Sequence, residues 1–396
     1  MISPNGCAMA QQCVVDKVLF NRPDFSHREL QYLRECLGGG DLAGDGSFTG
    51  RCRSWLEGQL GATVLLTHSC TAALEMAAML TVKAGDEVIM PSFTFVSTAN
   101  AFVLRGATPV FIDIRRDTLN IDENLIEAAV TERTRAIVPV HYAGVSCAME
   151  PIMAIATKNG VAVVEDAAQG YLAHWKGRPL GTMGSLGTLS FHQSKNIVSG
   201  EGGALILNDS AFEGRAHILR EKGTNRTEFF RGKVDKYEWL DIGSSYLPSD
   251  LIAAVLLAQL EVANEITAKR LRLWARYHQG LSEAERSGVL RRPVTPEEAH
   301  HNGHIYYLVF DSNKLREQAR LALLKIGIEA YTHYVPLHSA PAGRRYGRVA
   351  GQMTVTDRVA ATMLRLPIHG SMTEEHIDKV INAVTQVWRA SARTYA

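Results

Sequence analysis

The chain lacks the features that mark membrane, secreted and nucleic-acid-binding proteins. No apolar run approaches the roughly 18 residues of a membrane-spanning helix, and the first residues lack the basic and then apolar pattern of a secretory signal. Neither sign of charge dominates, because 42 Lys and Arg face 41 Asp and Glu for a formal net charge of +1. Nucleic acid and membrane are therefore poor candidates as partners, although a few placed donors can still bind an anionic ligand.

Disulfide and metal-binding patterns are also missing. The six cysteines form no CxxC pair. Neither they nor the scattered histidines His141, His333 and His338 have the spacing of metal ligands. Cysteines in this pattern are typical of reduced thiols, so we expect a cytoplasmic protein without a bound metal.

The length of the chain predicts more than one domain. A single compact core rarely extends over 396 residues. Hydrophobic residues make up 46% of the chain and charged residues 21%, which is ordinary for a globular protein. We expect a large domain over residues 18–265 and a small one over residues 266–396.

Short apolar runs alternate with amphipathic segments in the first of these regions. Runs without polar alternation, separated by helices, are typical of parallel strands that are covered on both faces. The sequence therefore predicts an α/β fold with a mainly parallel, seven-stranded sheet. Its expected strands are 63–66, 87–90, 109–114, 136–140, 161–164, 187–191 and 204–207.

The C-terminal region predicts a smaller α+β unit. A long helical pattern over 249–284, rich in Leu, Ala and Glu and capped by Ser249, connects it to the first region. The unit itself is expected to contain, in order, a strand over 306–309, a helix over 314–325, a strand over 327–331 and a helix over 374–387.

Two charged residues stand where the pattern predicts burial. Lys195 follows the apolar segment 187–191, and Asp166 closes the run that begins at Val161. A buried amine that forms a Schiff base, with a carboxylate that holds a pyridinium proton, is what pyridoxal phosphate chemistry requires. The alternatives are a solvated lysine and a structural ion pair at Asp166. Because ligands bind at the carboxyl ends of parallel strands, we expect both residues to be catalytic.

Hydroxyl groups follow two of the predicted strands. Ser69 and Thr71 lie between the run 63–66 and the next helix, where backbone N–H groups and the helix dipole attract anions. This segment is equally compatible with a phosphate site and with simple helix capping. Ser190 ends its strand and is a second candidate for phosphate binding.

Further candidates surround these segments. Gln169 follows Asp166 by three residues and could donate to an oxygen on a cofactor ring. The segment 91–96 places aromatic residues at a strand end, where one could stack on a flat cofactor, although core packing is the commoner fate of Phe. The run 200–203 lacks the order of a phosphate fingerprint, and it predicts a turn that needs positive φ.

Together these segments resemble the DegT/StrS-type sugar-nucleotide aminotransferases, with a likeness from about Val18 to Ile381 that includes the motifs 18–23 and 366–368. The resemblance implies a fold-type-I homodimer that uses pyridoxal 5′-phosphate. It implies that Lys195 forms the Schiff base, Asp166 binds the pyridine nitrogen and Gln169 the phenolic oxygen. Ring stacking and phosphate binding would fall to Phe95, Cys70, Thr71 and Ser190. Lys rather than His at position 195 distinguishes the chain from the related sugar dehydratases.

A second set of motifs is similar to the branch of that family that aminates C4 of dTDP-4-keto-6-deoxyglucose. These motifs are 222–226, 229–232, 234–237 and 241–246. Most of the wider family has, at the position of Ser245, an Asn that reaches the cofactor phosphate of the partner subunit. The resemblance therefore implies that Ser245 takes this role with a shorter reach.

The resemblance also implies L-glutamate as the amino donor and a dTDP-linked 4-keto-6-deoxyhexose as the acceptor. Aromatic and cationic residues are expected to contact the substrate, and a solvated loop is the alternative for the cations: Phe48, Arg226, Arg231, His333 and Tyr334. Amination at C3 and a non-catalytic protein with the same fold remain open. A nicotinamide-dependent reductase is disfavoured, because no strand leads into a dinucleotide fingerprint.

Overall fold

We describe residues 17–230 and 232–392 of a computed structural model of the chain. The predicted substrate contact Arg231 lies outside these residues. Within them, one large sheet and two three-stranded sheets form.

The strands of the described residues are, in chain order, β1 (Thr63–Thr67), β2 (Glu87–Pro91), β3 (Thr108–Ile112), β4 (Thr134–Ile137), β5 (Ala162–Asp166), β6 (His174–Trp175), β7 (Arg178–Pro179), β8 (Leu186–Ser190), β9 (Gly203–Leu207), β10 (Leu290–Arg291), β11 (Ala299–His300), β12 (Tyr306–Phe310), β13 (Arg348–Val349) and β14 (Met363–Leu366).

The α-helices of the same residues are α1 (Arg28–Gly39), α2 (Ser47–Leu60), α3 (Cys70–Thr81), α4 (Val96–Val103), α5 (Ile126–Ala129), α6 (Met149–Asn159), α7 (Glu213–Arg220), α8 (Arg226–Phe230), α9 (Asp250–Glu261), α10 (Ala263–Gly280), α11 (Ser282–Arg286), α12 (Asn313–Lys325), α13 (Pro341–Tyr346), α14 (Thr354–Thr362) and α15 (Glu374–Ala392).

The large sheet has the strand order β1-β9-β8-β5-β4-β2-β3-β13. Adjacent strands pair in parallel from β8 to β13, whereas β9 is antiparallel to both of its neighbours. The predicted α/β fold is confirmed, and each of the seven expected strands forms within three residues of its predicted ends. The sheet has eight strands rather than seven, because the two-residue β13 pairs with β3 and is too short to show as an apolar run.

The C-terminal region contains the expected α+β unit, with one wrong strand. Strands β10, β12 and β14 form an antiparallel sheet, and α12 and α15 pack against each other beside it. The segment 327–331 makes only single bridges, from Ile328 to Val18 and from Tyr331 to Arg365. It is not a strand because its two ends bond to different parts of the chain.

The long helix predicted over 249–284 is also wrong. It is divided into α9, α10 and α11, and α9 and α10 meet at 60°, where Val262 leaves the helical conformation. The break follows from packing, since α9 contacts α1 and α2 while α10 contacts α15. No single described helix is long and apolar enough to span a membrane, and only the bent pair α9 and α10 together has that length and composition.

Separate apolar clusters cover the two faces of the large sheet. Successive residues of one strand enter different clusters, as with Val163 and Val164 in β5. A third cluster joins Val18, Tyr277 and Leu308 around the C-terminal sheet. The domain limits 18–265 and 266–396 remain a prediction.

The ends of several strands meet at one edge of the large sheet. Asp166 is the last residue of β5 and Ser190 the last of β8, while α3 begins shortly after β1 ends. Gly203, at the start of β9, lies so close to this helix that a Cβ would stand 2.4 Å from the Cys70 nitrogen. Glycine at this position therefore allows β9 to approach the start of α3.

Candidate active site

Lys195 lies in the loop that joins β8 to β9 at this edge. Its backbone N–H donates to the His192 carbonyl over 2.8 Å, and Gly200 closes the loop with φ of 84°, as predicted for the glycine-rich run. The side chain lines a cavity of about 160 Å³. Burial lowers the pKa of Lys195, while the Cys70 thiol and the Asp166 carboxylate act in the opposite direction.

Asp166 is buried and held by neutral donors. The Thr98 hydroxyl donates to one carboxylate oxygen over 2.7 Å, and the Ala168 backbone N–H donates to the other over 3.1 Å. Neither bond balances the negative charge of the carboxylate. The arrangement therefore differs from a structural ion pair and suits a cationic ligand.

Gln169 and Ser190 lie beside Lys195. The side-chain oxygen of Gln169 accepts the Ala143 N–H over 2.7 Å, which leaves the amide NH₂ as its donating end. Gln169 and Ser190 both line a second, smaller cavity with Lys195. The structure therefore brings three predicted cofactor contacts together.

The start of α3 combines capping with an open helix end. The Ser69 hydroxyl accepts the Ala72 N–H over 3.1 Å, so the capping alternative is confirmed. The Thr71 hydroxyl lies 2.8 Å from the Ser97 hydroxyl. Burial raises the pKa of Cys70 to about 12, with a further contribution from Asp166, so the thiol is neutral near pH 7. Phosphate binding by Ser69, Cys70 and Thr71 remains a prediction.

Two phenylalanines near α4 have different environments. Phe95 is 51% exposed, and its ring centre lies 5.4 Å from that of Tyr334. Phe93 is 1% exposed and stacks on His333 at 3.8 Å. Of the two, only Phe95 therefore has the exposed face that stacking on a cofactor needs, and its stacking remains a prediction.

The expected substrate contacts do not form one group. Tyr334 lines the larger cavity with Lys195. His333 packs behind it, and burial keeps the pKa of His333 well below its ordinary value. Arg226 donates to the buried Glu221 over 3.2 Å. Phe48 is 2% exposed within the core beside α1, so its burial argues against the predicted substrate contact.

Ser245 is exposed and lies outside both cavities. It forms a single antiparallel bridge with Glu221. Its predicted contact with the cofactor phosphate of a partner subunit remains a prediction, and its exposure is compatible with that role.

Several residues of the larger cavity were not predicted from the sequence. Arg270, His304 and Arg365 line it together with Lys195. Arg365 stands in the otherwise apolar strand β14, and a charge in such a run is a signal that could have been used. His304 ends the run His300-His301-Asn302-Gly303-His304, in which no metal spacing was apparent.

The model of the DegT/DnrJ/EryC1/StrS aminotransferase family matches residues 23–385. The chain belongs to this family. The protein is therefore an enzyme, an aminotransferase, and its cofactor is pyridoxal 5′-phosphate. Membership in the family agrees with the fold and with the lysine and carboxylate at the sheet edge.

Individual proteins match this chain over most of their length. The spore coat polysaccharide biosynthesis protein SpsC of Bacillus subtilis is 32% identical over 93% of this chain and 96% of its own. The uncharacterized protein MJ1066 of Methanocaldococcus jannaschii is 34% identical over 81% of this chain and 84% of its own. The crystal structure of the aminotransferase TlmJ from Streptoalloteichus hindustanus has a TM-score of 0.86 at 30% identity, covering 95% of this chain and 100% of that one.

The DegT/DnrJ/EryC1/StrS site of this chain fits the cofactor. The missing side chain of Gly203 leaves the start of α3 and the end of β8 close together, as a phosphate held by both would need. Among the described residues, no cationic group is a hydrogen-bond partner of the Asp166 carboxylate. Lys195 has a desolvated amine within electrostatic reach of that carboxylate.

Proposed function

We propose that the enzyme is a sugar aminotransferase that moves an amino group from L-glutamate to C4 of dTDP-4-keto-6-deoxy-D-glucose, giving a dTDP-4-amino-4,6-dideoxyhexose. The observation that carries the aminotransferase chemistry is the desolvated Lys195 amine near the buried Asp166 carboxylate. The motifs over 222–246, similar to those of the C4-aminating branch, support the choice of substrate.

Lys195 would hold the cofactor and would also move a proton. Bound pyridoxal phosphate supplies an electron sink that makes the C–H bond beside the transferred nitrogen acidic. Because burial lowers the pKa of Lys195, its released amine is neutral more often than that of an exposed lysine at the same pH. The neutral Nζ accepts the proton from the substrate carbon and, once charged, donates it again.

Asp166 and Gln169 would hold the cofactor ring in its reactive form. The buried carboxylate of Asp166 would keep the pyridine nitrogen protonated, as its neutral neighbours could not. Gln169 would donate its amide NH₂ to the ring oxygen, because its carbonyl oxygen already accepts the Ala143 N–H. The exposed side chain of Phe95 would cover one ring face.

The start of α3 and the end of β8 would hold the phosphate. Backbone N–H groups of Cys70 and Thr71 point out of the helix, where its dipole favours an anion. The hydroxyls of Ser69, Thr71 and Ser190 add donors at the same edge.

The sugar nucleotide lies on the open side of the larger cavity. Tyr334 is 43% exposed there and offers a ring face to the sugar or thymine. Arg226 is half-buried beside Glu221, and we assign it with Arg231 to the diphosphate. His333 supports Tyr334 from behind, since their ring centres lie 5.0 Å apart.

A homodimer is the working unit of this proposal. Large apolar side chains of the segment 230–242 are exposed in the single chain, as a surface that a partner covers would be: Phe230 67%, Tyr237 52%, Trp239 81%, Leu240 54% and Ile242 44%. Ser245 follows this surface and would reach the cofactor phosphate of the partner subunit. A cytoplasmic location is part of the same proposal, supported by the free, buried thiols of Cys36, Cys52, Cys70 and Cys147.

The position of amination is tested with the proposed acceptor itself. The purified enzyme is incubated with L-glutamate and dTDP-4-keto-6-deoxyglucose, and the product is examined by NMR. Nitrogen at C4 supports the proposal, and the H3–H4 coupling separates a gluco product, with a large coupling, from a galacto product, with a small one. No amination at C4, or conversion only of a 3-keto sugar nucleotide, would refute the substrate assignment.

A further inference from the structure

The cavity beside Lys195 is lined by basic side chains. Lys195, Arg270 and Arg365 all line it, and none of the described residues that line it is acidic. Its lining therefore suits an anionic part of a substrate.

Arg270 and Arg365 differ in how the protein uses their donors. The Arg270 guanidinium donates to the carbonyls of Gly303 and His304, over 3.2 and 2.8 Å. These bonds fix the backbone of the cavity wall. Arg365 donates to the Thr332 carbonyl over 3.0 Å, and its Nε is buried without a hydrogen-bond partner among the described residues. Arg365 is thus the arginine with spare donors.

Aromatic rings hold the Arg365 side chain in place. Its guanidinium carbon lies 5.0 Å from the Tyr334 ring centre and 5.5 Å from that of Phe20. Such contacts orient the planar guanidinium without neutralising its charge. A fixed, unneutralised fork of this kind matches the two oxygens of a carboxylate.

The position of Arg365 relative to Lys195 indicates which carboxylate. Arg365 and Lys195 line the same cavity, and the Arg365 charge contributes to the lowered pKa of Lys195. The amino donor must bring its nitrogen to the place of the Lys195 amine. Its α-carboxylate is one carbon away from that nitrogen, whereas the diphosphate of a sugar nucleotide is separated from the reacting carbon by most of the sugar ring.

We infer that Arg365 binds the α-carboxylate of the amino donor, which deepens and rests on the aminotransferase function proposed above. The Tyr334 and Phe20 rings position the guanidinium, and Lys195 receives the donor's amine beside it. Arg365 is then a specificity-determining residue of the first half of the reaction, in which the amino acid gives up its nitrogen.

The test compares Arg365→Gln with a matched control, Arg345→Gln. Arg345 is exposed and also lies 5.0 Å from a tyrosine ring, that of Tyr346, but it is outside the cavity. For Arg365→Gln we expect the KM for L-glutamate to rise roughly 10- to 100-fold, as for a lost charge-assisted hydrogen bond. The KM for the keto-sugar nucleotide stays within about twofold, and Arg345→Gln behaves as the parent enzyme.

A binding measurement gives a second readout that does not depend on turnover. Calorimetry with glutarate, which has two carboxylates and no amine, should show a similar rise in Kd for Arg365→Gln. Arg365→Lys keeps a cation between the rings but loses the fork, and it replaces the Gln variant if that variant does not fold. An unchanged glutarate Kd in a folded Arg365 variant would overturn the inference.

Two further outcomes distinguish a wrong role for Arg365 from a wrong proposed function. A rise in the KM for the sugar nucleotide alone would assign Arg365 to the diphosphate and refute the carboxylate contact. If the parent enzyme released no 2-oxoglutarate from L-glutamate with any keto-sugar nucleotide, the proposed function would fail. Glutarate binding would still decide the role of Arg365 as a carboxylate site in that case.

Discussion

Burial removes water from two side chains of opposite charge in the site, Lys195 and Asp166. Burial lowers the pKa of Lys195, and the nearby Asp166 carboxylate partly offsets this effect. The Thr98 and Ala168 donors fix the Asp166 carboxylate without cancelling its charge. In the proposed function, the ligand would bring a carbonyl carbon to the amine and a cationic ring to the carboxylate.

Replacing Lys195 tests the first half of this pair. For Lys195→Ala we expect kcat to fall by roughly 10²–10⁴-fold or more, because both the covalent anchor and the proton-transferring amine are lost. Thermal unfolding should stay near that of the parent, since the side chain fills no core volume. Lys158→Ala, at a 70% exposed lysine that pairs with Glu127, is the control. Activity within tenfold of the parent would show that another lysine anchors the cofactor.

Replacing Asp166 tests the second half. Asp166→Asn should retain cofactor binding but lower kcat by roughly 10²–10³-fold, because a neutral amide cannot keep the pyridine nitrogen charged. Asp311→Asn, at a residue with a 67% exposed side chain, serves as the control. A kcat equal to that of the parent would remove the electron-sink role from Asp166.

The sequence singled out Lys195 and Asp166 but not the residues Arg270, His304 and Arg365 that line the cavity with Lys195. Lys195 and Asp166 stand out because a charge in or after a buried run has few purely structural explanations. Arg365 was not predicted, because the orientation of its guanidinium depends on contacts with the Tyr334 and Phe20 rings. Phe20 is remote from Arg365 in the sequence. Phe48 was expected at the substrate as an aromatic residue that could stack on it, but it packs against Tyr32 in the core.

At the scale of elements, the site depends on the close approach of β9 and α3. A Cβ at Gly203 would lie 2.4 Å from both the Cys70 nitrogen and the Ser69 carbonyl carbon. These are backbone atoms, so relief requires the helix start to move. The same movement would displace the N–H groups that we assign to the cofactor phosphate.

Gly203→Ala should therefore weaken both folding and cofactor binding. We expect a loss of about 1–3 kcal/mol in the free energy of unfolding, as for an overpacked site, and a higher Kd for pyridoxal phosphate. Gly214→Ala in α7 is the control, because no atom lies within 4 Å of its added Cβ and alanine favours a helix. Parent-like stability and cofactor affinity in Gly203→Ala would contradict the assigned approach.

Element boundaries were predictable where burial is continuous. The strands of the large sheet appear as apolar runs because both of their faces are covered. The helical pattern over 249–284 contains no Pro, and its break at Val262 arises from the different surfaces that α9 and α10 contact. The segment 327–331 has the composition of a strand, yet its hydrogen bonds go to Val18 and Arg365, a division that tertiary structure decides.

At the scale of the whole molecule, the exposed apolar surface over 230–242 predicts self-association. Trp239→Ser should raise the dimer dissociation constant by tenfold or more, since a large aromatic residue at an interface centre often contributes over 1.4 kcal/mol. Leu324→Ser, at a 55% exposed residue of α12, should leave it unchanged. Sedimentation at micromolar concentration measures both, and a fully active parent monomer would rule out the dimer as the working unit.

The absorption spectrum of the purified enzyme tests the central claim most directly, that Lys195 and Asp166 form a working pyridoxal phosphate site. We predict a visible band that shifts when L-glutamate is added to the parent enzyme. Lys195→Ala should lack the band of the covalently bound cofactor. Adding the keto-sugar nucleotide after L-glutamate should not restore the starting spectrum of this variant. The account would be contradicted by a parent protein that stays colourless with added pyridoxal phosphate. It would also be contradicted if no amino acid shifted the absorption band.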